Sequence, residues 1–393
     1  DRGYVLSKTL GLLVVAFLVW VAASYRILTN SLPTTLGACL VLGLVSLSLL
    51  WRRKKEMAEL WRERGRLILL SEVLFGAAFL LFVGIRMLNP DLWHPWNGGE
   101  KSMEFAFLNA ITKSAYFPPY DPYYAGGYIN YYYYGLHLVA TLIKLTGVIP
   151  VVAFNLAVPS LFALTVANAF SLGYNLTRRR LAGLLSMTFV ALLGNLDGLV
   201  QLVEGFGEAG GLSFESRIPG VEGLVRAVPG VVRVSLGRAQ LGRFDYWRSS
   251  RVIPQTINEF PYWSYLFADL HPHMIGIPVT IFLLALALNL ALAAKSATEK
   301  MTCLEGDGSS GLVARGRDAV RGAWQSLRGA DEGSRLLSAE NVAGVAVLAV
   351  TLGAVAVINT WDMPTYLLIV LGALLLGLRG FWRRDRALLA LVL

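Results

Sequence analysis

The chain has 393 residues and a formal net charge of +9, with 55% hydrophobic and only 16% charged residues. Its mean hydropathy is +0.55. These values exclude an ordinary soluble domain, in which about a quarter of the residues are charged. They predict an all-α polytopic membrane protein that contacts membrane lipids and no nucleic acid. The two cysteines, Cys39 and Cys303, lack the spacing of a disulfide framework or a zinc site.

Apolar runs of membrane-spanning character recur along the chain. The first two form an N-terminal two-span region, 1–66, with a basic loop between it and a transmembrane core, 67–393. After these spans the chain stops at Leu393 inside another apolar run, which predicts a fragment truncated at the C-terminus. The predicted spans are 10–25, 34–51, 67–88, 151–174, 181–203, 274–294, 342–361 and 364–378.

Lysine and arginine predict the orientation of the spans. The densest short basic segment is 52–55, which we place in the cytoplasm. The third span then delivers 89–135 to the outer face. The segment 136–145 is short and contains His137 and Lys144, so we predict an amphipathic helix that lies in the interface and does not cross.

With this assignment the remaining loops alternate between the cytoplasmic and the outer face. An outer insertion covers 204–257 and a cytoplasmic insertion covers 295–340. The outer insertion carries seven arginines, an exception to the charge rule that long loops tolerate.

The outer loop 89–135 concentrates acids and aromatic rings between apolar segments, and it contains nine tyrosines. Ionisable groups at a membrane edge are costly and usually mark function. The topology places further candidates on the same outer face, so that a common cavity can form. The acids and histidines predicted on this face are Glu100, Glu104, Asp121, Asp197, Glu259, Asp269, His271, His273 and Asp362.

Glu100 and Glu104 are four residues apart, after a Gly-Gly pair. If a helix begins at Glu100 and continues through Asn109, both carboxylates project from one face. Such a pair can bind a divalent cation or supply a general base. The alternative is a solvated acidic helix start, where acids interact favourably with the helix dipole.

A second constellation, Asp269-x-His271-x-His273, precedes the span 274–294. In an extended loop alternate residues point the same way, so these three side chains are candidate metal ligands. The alternative is that the aspartate orients one histidine and both cap the following helix. Asp362 follows another span and is either a site acid or a helix cap.

Four consecutive tyrosines, 131–134, close the outer loop. They are typical of an aromatic belt at the lipid headgroups. Four consecutive tyrosines in a helix face all of its sides, whereas an aromatic belt needs rings only at the headgroup level. The alternative is therefore that some of these rings stack on sugars or lipid heads.

These blocks resemble the signature of the YYY-domain membrane proteins, a multi-pass family of Chloroflexi and archaea without an established reaction. The resemblance covers about 67–378, with the blocks in the expected order. The matching blocks are GEKSMEFAFLNA at 99–110, YFPP at 116–119, AGG at 125–127, NYYYYG at 130–135, EFP at 259–261, FADLHPH at 267–273 and NTWDMP at 359–364.

The YYY-domain family in turn resembles the GT-C glycosyltransferases, multi-pass enzymes with an essential acid in the first large external loop. That resemblance implies a GT-C-like helix bundle with outer juxtamembrane loops. It implies Glu100 as the catalytic acid and Asp269 as a further acid before a span, and the spacing to Glu100 adds Glu104 as a third catalytic candidate. Our candidate substrate-binding residues, taken from the outer-face blocks, are Lys101, Asp121, Asn130, Tyr131, Tyr132, Tyr133, Glu259, His271, His273 and Asp362.

The resemblance further implies a polyprenyl-phosphate-sugar donor and an unknown acceptor, with either outer-loop basic groups or a divalent metal to neutralise the leaving phosphate. The candidate ligands for that metal are Asp269, His271 and His273, from their spacing. The site would face the outside of the cell membrane. This chain departs from the GT-C pattern in having Gly-Glu for Asp-Glu, tyrosines for Pro-Pro in the return helix, and a long insertion after Asp197.

Two other functions fit the same acids: a transporter or flippase for lipid-linked or polar substrates, and a non-enzymatic envelope scaffold. Convergence of Glu100, Asp269, His271 and Asp362 in one pocket favours the enzyme. We therefore predict that the Glu100 and Asp269 carboxylates lie on the order of 10 Å apart in a cavity of ligand size.

Overall fold

The computed structural model describes residues 1, 3–94, 98–194, 196–304 and 339–382. These residues form α-helices and no strand, apart from one isolated bridge between Tyr120 and Tyr128, so the all-α prediction is confirmed. In chain order the helices are α1 Ser7–Ser24, α2 Leu32–Arg52, α3 Lys54–Leu88, α4 Lys101–Lys113, α5 Tyr134–Thr146, α6 Pro150–Thr177, α7 Arg180–Ala191, α8 Asp197–Gly210, α9 Val221–Ser235, α10 Pro261–Phe267, α11 Pro272–Leu304, α12 Ala339–Ile358 and α13 Met363–Trp382.

The helices belong to two compact units. The larger comprises Asp1–Met187 and Asp269–Leu393, and the smaller is Thr188–Ala268. Five helices in the described residues are long and apolar enough to cross a membrane: α1, α2, α3, α6 and the part of α11 up to Leu292. The apolar segments Val342–Ile358 and Thr360–Leu376 are shorter. A multi-pass membrane protein is the architecture that these helices support.

The predicted span 181–203 is wrong as a single helix. The chain leaves helical geometry after Ala191 and re-enters it at Asp197. The polar and glycine residues of 194–198 interrupt the apolar run. In α8 the Asp197 carboxylate accepts hydrogen bonds from Gln201 (2.7 Å) and Arg248 (2.7 Å), and Arg248 also pairs with Glu204 (3.0 Å). This ion-paired face distinguishes α8 from an apolar membrane span.

The smaller unit is built on α8 and α9, which pack closely. Gly230 of α9 lies against the carbonyl of Phe206 in α8, where a Cβ atom would have no room. Near α10, the rings of Tyr246 and Trp263 stack with centroids 5.1 Å apart. The Tyr246 hydroxyl also donates to the Trp263 carbonyl (2.9 Å).

In the larger unit, α3 and α6 run antiparallel. At one end Arg86 of α3 donates two hydrogen bonds to the Asn155 side chain of α6, at 2.7 and 3.0 Å. At the other end Leu67 packs against Tyr174. The chain therefore returns to α6 at the end where it left α3, as expected if 136–145 does not cross.

The helix α5 confirms that a helix covers 136–145, but its environment differs from the prediction. An interfacial amphipathic helix exposes one face, whereas eight consecutive residues of α5, 134–141, are buried. Gly135 explains one close contact, because a Cβ there would lie 3.1 Å from the Ile275 side chain in α11. His137, which suggested the interface, is fully buried, and its Nε2 atom forms a hydrogen bond with the Ala16 carbonyl (3.0 Å).

The helices α6 and α7 approach each other through reciprocal glycines. A Cβ at Gly173 would lie 2.5 Å from Ser186 Cβ and 2.8 Å from the Ala182 carbonyl oxygen. In return, a Cβ at Gly183 would lie 2.8 Å from the Phe170 ring. Small residues at such crossings let backbones come close, as is common between membrane helices.

Candidate functional site

The site begins at the N-terminus of α4. Gly99 has a φ of +61°, a left-handed conformation that favours glycine, and Glu100 is the N-cap residue. The helix α4 continues to Lys113, four residues beyond the predicted end at Asn109. The prediction that Glu100 and Glu104 share a face is confirmed, since an oxygen of each lies within 4.8 Å of the other.

The segment before α11 contacts the N-terminus of α4 through Asp269. Its Oδ2 atom accepts a hydrogen bond from the Glu100 backbone N–H at 2.9 Å, although the two residues are 169 positions apart. The predicted proximity of the two acidic residues is therefore confirmed. This contact also occupies one of the backbone donors that a helix N-terminus leaves without an intrahelical partner.

The Glu100 carboxylate is half exposed, with 50% of the side chain accessible. Its Oε2 atom contacts the His271 Nε2 atom at 3.3 Å and the Tyr131 hydroxyl at 3.4 Å. The same hydroxyl lies 3.4 Å from His271 Nε2. Burial raises the pKa of Tyr131, and the Glu100 charge raises it further, so this phenol keeps its proton and donates it to the carboxylate.

Glu104 is fully buried beside Asp269. Burial raises the pKa of Glu104 well above its usual range, and the Asp269 and Glu100 carboxyl groups raise it further. The nearby Leu270 backbone N–H opposes this shift without forming a hydrogen bond of normal geometry. Neither Glu104 oxygen, nor Asp269 Oδ1, has a hydrogen-bond donor at normal geometry among the described residues. Two ionised carboxylates are both acceptors, so a hydrogen bond between them requires a proton on one.

One buried cation interacts with these acids, and a second lies near the first. Lys101, only 9% exposed, interacts electrostatically with Asp269, Asp91 and Glu104. Burial lowers the pKa of Lys101, and the charge of Arg86 lowers it further. The second cation, Arg86, was not predicted as a site residue, although a lone arginine near the end of an apolar span was the available signal. Lys101 thus offsets the negative charge of the acids from inside the protein.

The two histidines extend the site toward α12 and α13. His271 and His273 face each other through their Nδ1 atoms at 2.5 Å, so one ring carries the proton that the other accepts. Asp362 interacts electrostatically with His273, and its Oδ2 atom lies next to Gly276. Glu100, Asp269, His271 and Asp362 therefore converge at one end of the larger unit.

The tyrosine block divides between site and core. Tyr131 contacts Glu100, and the Tyr132 ring packs edge-on against the Tyr131 ring, with centroids 5.2 Å apart. Tyr133 turns away, accepts a hydrogen bond from Trp20 Nε1 (3.1 Å) and stacks on Phe117. Because α5 begins at Tyr134, the first three tyrosines precede the helix and do not surround it.

Three further predicted substrate-binding residues have surroundings of their own. Asp121 accepts a hydrogen bond from the Tyr123 backbone (2.8 Å) and orders its own turn. Asn130 is exposed. Glu259 belongs to the smaller unit, where Ser264 donates to its carboxylate (3.1 Å).

The described residues assemble a candidate metal-binding set that differs from the predicted one. Ligand atoms of Glu100, Glu104 and His271 all lie within 4.8 Å of one another. His271 is common to both sets, whereas Asp269 contacts the Glu100 backbone and His273 contacts His271.

An open groove of about 590 Å³ lies on another side of the first turns of α4. Trp93, Ser102, Phe105 and Val151 contribute to its mainly apolar lining. Glu100 and Asp269 do not line it, so the groove is a neighbour of the acidic cluster and not the predicted common cavity.

Comparison with known proteins identifies the family. The chain matches the family model described as "Uncharacterized membrane protein (DUF2298)" over residues 14–389, and it therefore belongs to that family. No curated protein matches the chain, and no solved structure does.

Proposed function

We propose that this member of the DUF2298 family is a membrane glycosyltransferase. It moves a sugar from a polyprenyl-phosphate donor to an acceptor hydroxyl at the non-cytoplasmic face of the cell membrane. The observation that carries the proposal is the Glu100 carboxylate, which is half exposed and contacted by both Tyr131 and His271. A positioned, accessible carboxylate is what general-base catalysis requires.

The reaction balances with one displacement. The acceptor oxygen forms a bond to the anomeric carbon while the bond from that carbon to the phosphate oxygen breaks. The phosphate leaves with the electron pair, and Glu100 takes the acceptor proton. The N-terminus of α4 and the buried charge of Lys101 favour an anionic phosphate nearby.

Aromatic rings and the open groove supply the remaining binding surface. Tyr131 and Tyr132 offer ring faces next to Glu100 for stacking on a sugar. We assign the polyprenyl tail to the groove that includes Trp93 and Phe105, whose volume is within the range of ligand pockets, about 300–1,000 Å³. The resemblance to GT-C enzymes supports the same donor class.

The test is the Glu100→Gln variant, which keeps the size of the side chain and removes its proton-accepting carboxylate. The full chain is purified in detergent and incubated with radiolabelled polyprenyl-phosphate hexoses and a membrane extract as acceptor source. We expect the variant to transfer sugar on the order of 10²–10⁴-fold more slowly than the wild type. Tyr132→Phe is the matched control, because it keeps the stacking ring and should cost far less.

The alternatives give different outcomes in the same preparation. A scaffold has no turnover in any variant. A transporter reconstituted in vesicles loses uptake of the labelled donor on Glu100→Gln and forms no product. Transfer at the wild-type rate by Glu100→Gln would remove this residue from the catalytic role.

A further inference from the structure

Three side chains from two distant segments converge on one small volume. Glu100 and Glu104 come from the first turn of α4, and His271 comes from the segment before α11. One ligand atom from each lies within 4.8 Å of the other two. Donors so close can bind a common ion, since metal–ligand bonds of about 2.0–2.2 Å place neighbouring ligand atoms some 3–4 Å apart.

Glu104 provides an independent indication that a ligand is needed. Its side chain is 0% exposed, and neither of its oxygens has a hydrogen-bond donor at normal geometry in the part of the chain that the structure describes. Asp269 Oδ1 is buried and equally unsatisfied there. A buried acceptor without a donor costs about 1–3 kcal/mol, and more if it is charged. A cation beside Glu104 removes that cost directly.

The surroundings of His271 match those of a metal-ligating histidine. Such a histidine donates its second ring N–H to a fixed acceptor, which sets the tautomer. The His271 Nδ1 atom faces His273 Nδ1 at 2.5 Å, and the Nε2 atom faces Glu100. With the proton on His271 Nδ1, the Nε2 lone pair points into the acidic cluster. On the α4 side of the cluster, the Asp269 carboxylate fixes the position of Glu100 by accepting a hydrogen bond from its backbone N–H.

We infer that Glu100, Glu104 and His271 form a binding site for one divalent first-row transition-metal ion. Two carboxylate oxygens and one imidazole nitrogen suit Mn²⁺ or Zn²⁺ better than Ca²⁺, which takes oxygen ligands. Three protein ligands leave coordination positions for water or substrate, as in catalytic sites. The binding of the ion does not depend on which reaction the site performs.

The ion would also have a role in the proposed sugar transfer, and this part of the inference rests on the proposed function. A carboxylate has two oxygens, so Glu100 can bind the ion through one and accept the acceptor proton with the other. The ion would polarise the acceptor hydroxyl or offset the charge of the leaving phosphate.

The experiment measures metal binding without turnover. The full chain is purified in detergent, stripped with EDTA and dialysed against Mn²⁺ or Zn²⁺ at matched concentrations, and bound metal is counted by mass spectrometry. We expect one ion per wild-type chain. Glu104→Gln and His271→Gln should each weaken binding by at least about 10–100-fold, the loss that even outer-shell changes produce. Glu215→Gln, an exposed carboxylate in the smaller unit, should bind like the wild type.

Each outcome decides the question. A folded wild-type chain that retains no Mn²⁺ or Zn²⁺ overturns the inference and favours a proton shared by Glu104 and Asp269. Unchanged binding in His271→Gln overturns it as well, even if Glu104→Gln fails to fold, because His271 is only partly buried. Stoichiometric binding without sugar transfer supports the metal site and contradicts the proposed transferase alone.

Discussion

Glu100 and Glu104 show how far single residues can be predicted. Their four-residue spacing predicted a shared helix face, because that relation is local. It did not predict that Glu100 is half exposed while Glu104 is fully buried. The difference arises from Asp269 and His271, which contact the helix start from 169 and 171 positions away, and no local pattern encodes such contacts. Two acids in contrasting environments are a common arrangement for divided catalytic roles.

His137 is the residue for which we predict a pH effect on stability. It is fully buried, with Nε2 at the Ala16 carbonyl and the ring packed edge-on against Phe117. Burial lowers the pKa of His137 to about 4. In the unfolded chain His137 binds a proton at a higher pH than in the folded chain. The stability that the neutral, buried histidine contributes is therefore fully present above about pH 6.5 and is lost as the pH falls toward 4. The loss amounts to roughly 2–3 kcal/mol at pH 4.5.

The measurement is the melting temperature of the full chain in detergent between pH 7.5 and 4.5, compared with His137→Gln. The glutamine keeps a donor for Ala16 and does not titrate, so its curve should fall less steeply on acidification. His94→Gln removes an exposed imidazole and should follow the wild type. Parallel curves for wild type and His137→Gln would contradict the prediction.

At the scale of elements, hydrophobicity predicted where most helices lie but not how they pack. The predicted runs 34–51, 67–88 and 151–174 each lie inside a helix of the structure, and 10–25 extends one residue past the end of α1. The helices are longer than the runs, most of all α3, which begins 13 residues before the predicted start at residue 67. The run 181–203 failed because a short polar interruption weighs little in an average over twenty residues. The environment of α5 was missed for a related reason, since its burial comes from helices that surround it in space.

Alanine substitutions at two helical glycines are predicted to change the free energy of unfolding in opposite directions. Gly173 lies at the crossing of α6 and α7, and Gly76 lies in α3. Gly173→Ala places a methyl group 2.5 Å from Ser186 Cβ, and such overpacking costs about 1–3 kcal/mol. A methyl group added at Gly76 in α3 would have no atom of the described residues within 4 Å. Gly76→Ala should therefore stabilise by about 0.5–1 kcal/mol through helix propensity.

Melting temperatures in detergent report both effects. Ser186→Gly should rescue Gly173→Ala in part, because the Ala182 carbonyl at 2.8 Å remains in the way. A Gly173→Ala variant as stable as Gly76→Ala would show that the two helices do not cross at this point.

For the whole molecule, the positions of lysine and arginine predicted basic loops at the cytoplasmic end of the helices and the candidate site at the outer end. The structure puts Glu100 and Asp269 at one end of the larger unit. The opposite end contains Leu67 with Tyr174, and the neighbouring Arg64 donates to the Tyr174 hydroxyl. The number of crossings differs from the prediction, because the run 181–203 is interrupted between Ala191 and Asp197 and five helices of the described residues are long and apolar enough to span a membrane.

The orientation in the membrane is tested by cysteine labelling of intact cells, with Cys39 and Cys303 replaced by serine. A cysteine at the exposed Trp93 should react with a membrane-impermeant maleimide. Cysteines at Lys54 and Arg179 should react only after permeabilisation. Further outside labelling is expected at Phe244 and inside labelling at Ser309, which lies outside the described residues. Labelling of Arg179 together with protection of Trp93 would reverse the assignment.

The bond between the Glu100 backbone and Asp269 also sets an order of events during synthesis. At about 5–20 residues per second, the ribosome adds the intervening 169 residues in on the order of 10–30 s. Throughout that interval α4 exists without the segment that covers Glu104 and contributes His271. A nascent chain that stops before residue 269 therefore carries an acid still open to water or lipid. The side chains of this cluster come together only when α11 arrives, so the emergence of that helix is the earliest moment at which the cluster can form.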